Sequence, residues 1–161
     1  MVQLPRMPNI EVQRAAMKKL AFLVGKWSGE ACLERRTGEP MTLPQTEEAE
    51  YRLDGLLLVI EGIGRTVADN KPVLQALGII SYDDETGTYH MRAFNDGRFL
   101  ETDVRLLEDG SGMAWGFSLG EITTSSVLRI NERGEWTERA EIKIGEQPAR
   151  RLLEITVRRQ A

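Results

Sequence analysis

Turn-forming clusters recur at short and regular intervals along most of this chain, and they constrain its fold more than any other feature. Nine clusters rich in Gly, Asp, Asn and Pro separate ten stretches of about six to thirteen residues, which suit β-strands. The clusters lie at 36–40, 54–55, 69–72, 83–87, 95–97, 108–112, 119–121, 131–134 and 145–148. Because no helical stretch intervenes, every connection can be a hairpin, and a long twisted meander closes on itself to remove its edges. The pattern predicts an all-β fold, an antiparallel up-and-down barrel of about ten strands over residues 26–159.

One helical segment precedes the first strand, over residues 9–24. Asn9 is a good N-cap, Glu11 suits the positive end of the helix dipole, and apolar residues recur at helical spacing up to Gly25. A helix of this length is marginal by itself, so we expect it to pack against one end of the barrel. The whole chain, residues 1–161, is predicted to be a single domain.

Alternation of apolar and polar residues assigns one face of each strand to the barrel interior. The residues predicted to contact a ligand there are Tyr51, Arg92, Trp115, Phe117, Trp136 and Glu138. Smaller residues share the predicted interior, namely Ala49, Thr102, Ser126 and Ala140. Such a lining suits a cavity for one small molecule, but it also suits a core filled by its own side chains. Glycines within strands, among them Gly62 and Gly64, are interpreted as the bends that a small barrel needs.

Two titratable residues stand out. Glu138 falls on the apolar face of its strand, and a buried carboxyl group needs a partner or a raised pKa. It could contact a ligand, act as an acid or base, or form a structural ion pair with an inward Arg92. His90 is the only histidine; we expect it to be structural or solvent-facing, with ligand contact or acid–base chemistry as the alternative. No catalytic residue or metal site is assigned, because the chain has no recognisable triad, metal cluster or calcium loop.

Two segments resemble a known family. The first is the pattern Leu-x-x-Leu-x-Gly-x-Trp-x-Gly-Glu from Leu20 to Glu30, and the second is Gly-x-x-Ser-Tyr-Asp-x-x-Thr-Gly-x-Tyr from Gly78 to Tyr89. With a basic final strand, they resemble the DUF1579 family of uncharacterised bacterial proteins, in the wider lipocalin-like (calycin) group. The resemblance implies an up-and-down barrel with a helix near one end, and it implies no established activity.

The haem-binding nitrobindins are similar over the first of these segments alone. The resemblance would place their haem histidine near the C-terminal end of the barrel, where this chain has Arg150 to Arg159 and no histidine. Haem is therefore disfavoured, and no cofactor is predicted.

The composition argues against several function classes. The net charge of −4 provides no basic surface for nucleic acid, and the longest apolar run, Leu56 to Ile60, is far too short to span a membrane. A single cysteine, Cys32, excludes an intrachain disulfide, and with no apolar leader in view we expect a cytoplasmic protein.

The leading hypothesis is a non-catalytic protein that binds a small, largely apolar molecule inside the barrel. One alternative is an enzyme that uses Glu138 or His90 as an acid or base in the cavity. The other is a structural or interaction protein whose barrel is filled. The sequence does not predict the oligomeric state.

Overall fold

Ten antiparallel strands form a closed barrel in the computed structural model, which describes residues 1–161. The strands follow one another around the barrel in chain order, and the first closes the sheet by pairing with the last. Their bounds are β1 Gly25–Leu33, β2 Met41–Arg52, β3 Leu57–Arg65, β4 Pro72–Asp83, β5 Thr88–Asn95, β6 Arg98–Leu106, β7 Gly112–Leu119, β8 Ile122–Ile130, β9 Trp136–Ile144 and β10 Arg150–Arg159. The predicted all-β class and the number of strands are confirmed.

The helix is shorter than the predicted 9–24. Helix α1 spans Ile10–Lys18, and the Asn9 side chain caps it by accepting a hydrogen bond from the Val12 N–H at 3.2 Å. A single 3₁₀ turn, Ala21–Leu23, follows before β1 begins. The helical spacing of apolar residues continues through this turn, but the chain must bend there to bury its side chains in the end of the barrel. No helix in the structure has the length and apolar character needed to cross a membrane.

Helix α1 and the 3₁₀ turn close one end of the barrel. Their apolar side chains in the core have no exposed surface: Met17, Leu20 and Leu23. The Tyr51 hydroxyl donates to the Met17 carbonyl at 2.7 Å, and the Tyr89 hydroxyl donates to the Ala16 carbonyl at 2.6 Å. Both carbonyls also accept backbone N–H groups, from Lys19 and Leu20, so each tyrosine adds a second bond and joins the helix to β2 or β5.

We expect Tyr51→Phe and Tyr89→Phe each to lower the free energy of unfolding by about 0.5–1.5 kcal/mol, because each removes one hydroxyl bond to the helix. Chemical denaturation would measure the change. Tyr82→Phe is the matched control, since the Tyr82 ring packs against Tyr89 at 4.8 Å but its hydroxyl lies beside Gly87 instead of the helix. Equal losses in all three variants would show that the hydroxyl bonds do not anchor the helix.

The opposite end of the barrel is formed by the turns that follow β1, β3, β5, β7 and β9, and no helix packs over it. Three apolar residues on the inner face of this rim stay partly exposed, Leu119 at 52%, Ile122 at 39% and Ile144 at 37%. They are neighbours across strands, because Leu119 pairs with Ile122 and Ile122 pairs with Ile144. We call these three residues the apolar rim.

Candidate functional site

Most of the residues predicted to face inward do so. Trp136 is fully buried, and Trp115 and Phe117 are partly buried against the core. Glu138 follows Trp136 on the inner face of β9, two residues before the buried Ala140. Tyr51 also faces inward, but its hydroxyl is already bonded to the helix. Contact of these residues with a ligand stays a prediction.

Arg92 and His90 lie on the outer wall, so the predicted inward position of Arg92 is wrong. The Arg92 side chain is 68% exposed, and its Nε lies 3.1 Å from Glu101 Oε1. Its neighbours on β5 alternate, with Met91 buried inside, so an inward arginine would have required a break in the strand. His90 Nδ1 lies 2.7 Å from Asp103 Oδ1 on the same outer wall. His90 therefore does not act as an acid or base in the barrel interior.

The inner face of β2 carries two polar residues that the sequence pattern did not predict as site residues. Gln45 and Glu47 are only 3% and 6% exposed, and Gln45 Nε2 donates to Glu47 Oε1 at 2.8 Å. The sequence does contain a signal for both residues. Ala49 is predicted to face inward, and since side chains alternate along a strand, Glu47 and Gln45, two and four residues before it, should face inward as well.

Two glycines of β3 make room for these side chains. Glu47 lies directly opposite Gly62, and Gln45 lies opposite Gly64. A Cβ atom at Gly62 would stand 2.6 Å from both carboxyl oxygens of Glu47, and one at Gly64 would stand 2.6 Å from Gln45 Oε1. Besides any bending of the strand, these glycines therefore provide the space that holds an amide and a carboxyl group inside the barrel.

Glu47 and Glu138 influence each other within the barrel. Their strands are separated by β1 and β10, so closure of the barrel brings them near. Burial raises the pKa of Glu47 to about 7, whereas burial and then the charge of Glu47 raise the pKa of Glu138 to about 8. The Gln45 amide and the Trp136 indole lower these pKa values in part, and no basic side chain contributes. Glu138 keeps a little accessible surface towards the interior space, but protein surrounds its carboxyl group and desolvates it.

Two buried polar atoms beside these carboxyl groups have no hydrogen-bond partner. They are Oε1 of Gln45 and Nε1 of Trp136, in side chains that are 3% and 1% exposed. The Trp136 indole is near enough to affect the pKa of Glu138 but makes no hydrogen bond of ordinary geometry. An unsatisfied buried polar group destabilises a fold by about 1–3 kcal/mol, so these two atoms need an explanation. We call Gln45, Glu47, Trp136 and Glu138 the interior polar cluster.

A cleft lies elsewhere in the barrel, between β6 and β7. These strands pair over only three residues each, and beyond them the Thr102 hydroxyl reaches across to the Gly116 carbonyl at 2.5 Å. The cleft has a volume of about 970 Å³, and its lining includes the inner-face residues Trp115, Thr124 and Ser126. It does not reach the interior polar cluster. We interpret it as a side opening in the barrel wall, because unpaired strand segments leave a gap there.

Comparisons with known proteins bear on the fold. Neither a protein-family model nor a curated protein sequence matches this chain. Among solved structures, the chain is similar to the crystal structure of Rv2717c from M. tuberculosis, with a TM-score of 0.68 and 17% sequence identity. The similarity covers 91% of this chain and 98% of that one. At this identity it shows a shared fold alone, and with the closed ten-stranded sheet it fits a lipocalin-like barrel.

Proposed function

We propose that this protein binds a small, largely apolar molecule inside its barrel without transforming it. The observation that carries the proposal is the contrast between the two ends of the barrel. One end is closed by buried side chains of α1 and the 3₁₀ turn, whereas the other has no helix over it and carries the apolar rim on β7, β8 and β9. Inner-face residues between the two ends, such as Ile60, Ala93 and Thr124, stay only partly buried.

Barrel size supports the same proposal. An eight-stranded barrel is just wide enough to be filled by side chains or to hold one small ligand, so about ten strands leave more interior space. Trp115 and Phe117 supply aromatic surface in that space, and the apolar rim continues it to the mouth. The two sequence segments given above favour membership of the DUF1579 family, and the lone cysteine favours a cytoplasmic location.

A catalytic function is the second candidate, and one observation favours it. Glu47 and Glu138 are neighbouring carboxyl groups with unequal, raised pKa values, an arrangement that enzymes use to separate an acid from a base. A bound molecule that is recovered chemically unchanged would support binding without catalysis. Turnover that is lost in Glu138→Gln would support the enzyme.

Native mass spectrometry of the purified protein and titration with Nile red, a neutral apolar dye, would test the proposal. We expect one dye molecule per barrel. Ile122→Asp in the apolar rim should weaken dye binding about 10-fold, because losing the burial of an isoleucine side chain costs about 1.5–3 kcal/mol.

Val73→Asp is the matched control. Val73 is as exposed as Ile122, at 39%, but it lies on the outer face of β4. Its replacement should leave dye binding unchanged. Equal losses in both variants, or no dye binding at all, would contradict an interior site and favour a filled barrel.

A further inference from the structure

The interior polar cluster has many more hydrogen-bond acceptors than donors. Gln45 Oε1 has no hydrogen-bond partner, Glu47 Oε1 accepts from Gln45 Nε2, and no other side chain donates to Glu47. The Trp136 indole is the one donor near Glu138, and it makes no bond of ordinary geometry. A group that enters this cluster must therefore bring donors with it.

The cluster is also acidic and has no cation, and it becomes negatively charged as Glu47 and Glu138 ionise above about pH 7. Neither Glu47 nor Glu138 forms an ion pair, and Arg92, which the sequence suggested as a partner, is on the outer wall. Once these two carboxyl groups are ionised, a ligand carboxylate or phosphate placed here would meet like charges in a desolvated environment and would be repelled strongly. Fatty acids and other anionic amphiphiles are therefore poor candidates for this barrel.

We propose that the molecule bound in the barrel carries a basic nitrogen, a protonated amine or amidine, which lies between Glu47 and Glu138 and donates to them and to Gln45 Oε1. This inference rests on the proposed binding function. A primary ammonium group has three N–H donors, which match one oxygen from each of these three side chains. The charge also meets the aromatic ring of Trp136, which stabilises cations. The apolar body of the ligand then extends towards Phe117 and the apolar rim.

Three probes of one ring system test the ligand class: 1-(aminomethyl)naphthalene, 1-naphthalenemethanol and 1-naphthaleneacetate. Isothermal titration calorimetry at pH 8 should rank the amine above the alcohol and the alcohol above the carboxylate. We expect the amine to bind at least about 10-fold more tightly than the alcohol, since a hydrogen bond to a charged group is worth about 1.5–3 kcal/mol.

Substitutions then locate the amine. Glu47→Gln and Glu138→Gln keep the side-chain shape and should each weaken amine binding about 10-fold, while alcohol binding stays within about 2-fold and reports a folded barrel. Glu61→Gln is the matched control, because Glu61 is an exposed glutamate on the outer face of β3. An equal loss in Glu61→Gln would mean that the amine is attracted by the overall negative charge, and the inference would be wrong.

A measurement on the unaltered protein is independent of folding in the variants. Glu47 and Glu138 are the titratable groups that act on each other inside the barrel, with Gln45, Trp136 and Gly62 as their other neighbours. At pH 5 both carboxyl groups are neutral, so the preference for the amine over the alcohol should disappear. A preference that persists at pH 5, or equal binding of all three probes at pH 8, would overturn the amine inference and leave the binding proposal intact. If no probe binds at either pH, the binding proposal itself fails.

Discussion

Replacing Trp27 by alanine is expected to lower the free energy of unfolding by about 3–5 kcal/mol, the usual loss for a buried tryptophan. Trp27 is 1% exposed, and its indole N–H donates to the Leu23 carbonyl at 2.9 Å. Its ring meets that of Trp136 edge-on at 5.5 Å, and the Arg159 guanidinium lies over it at 4.2 Å. One side chain thus joins the 3₁₀ turn, β9 and the last residue of β10. Thermal and chemical denaturation followed by circular dichroism would measure the loss.

Trp115→Ala is the matched control, because it removes the same side chain from a partly exposed position at the cleft. We expect a clearly smaller loss there. Arg159 adds to the difference, since it also donates to the carbonyls of Phe22 and Val24 and so depends on the same junction. A melting curve for Trp27→Ala close to that of the unaltered protein would show that the junction of the helix and β1 does not hold the barrel closed.

The number of strands and their order could be predicted because turns depend on local chemistry. Gly87 and Gly134, for example, adopt φ values of 71° and 76°, which favour glycine and so mark the hairpins in the sequence. Inward-facing positions could also be predicted on strands where an aromatic residue fixes the alternation, as Trp115 does on β7 and Trp136 does on β9. Leu53 would continue the alternation of Ala49 and Tyr51, but it lies in the turn after β2 and is 67% exposed, because the strand ends at Arg52.

The interior polar cluster could not be predicted as a site, for physical reasons. On β2 acidic residues occupy both faces, so the inward Glu47 looks in the sequence like the outward Glu48. Glu47 comes close to Glu138 only because the sheet closes through β1 and β10, and no local sequence pattern specifies that closure. Gly62 leaves space for the carboxyl oxygens of Glu47, and this role can be recognised only once the positions of those oxygens are known.

The free energy of unfolding is expected to fall as the pH rises from 5 to 9. In the unfolded chain Glu47 and Glu138 ionise near their ordinary pKa of 4.5, whereas in the barrel burial raises these pKa values to about 7 and about 8. At pH values between 4.5 and about 8, these carboxyl groups have lost their protons in the unfolded chain but still hold them in the folded barrel. The free energy of unfolding therefore declines with increasing pH and levels off above about pH 8. The total decline should be at least about 2 kcal/mol, since one pKa unit corresponds to about 1.4 kcal/mol.

Urea denaturation at a series of pH values would measure this slope, and three variants would assign it. Glu138→Gln should flatten the curve and should be more stable than the unaltered protein at pH 9, because an amide has no charge to desolvate. Glu138→Leu should also gain stability at pH 9 but should lose the amine probe, if Glu138 serves binding instead of the fold. Glu61→Gln should keep the original slope, since that carboxyl group is exposed. A slope that is unchanged in both Glu138 variants would mean that water reaches this carboxyl group freely, and its negative charge would then give the barrel little preference for a basic ligand.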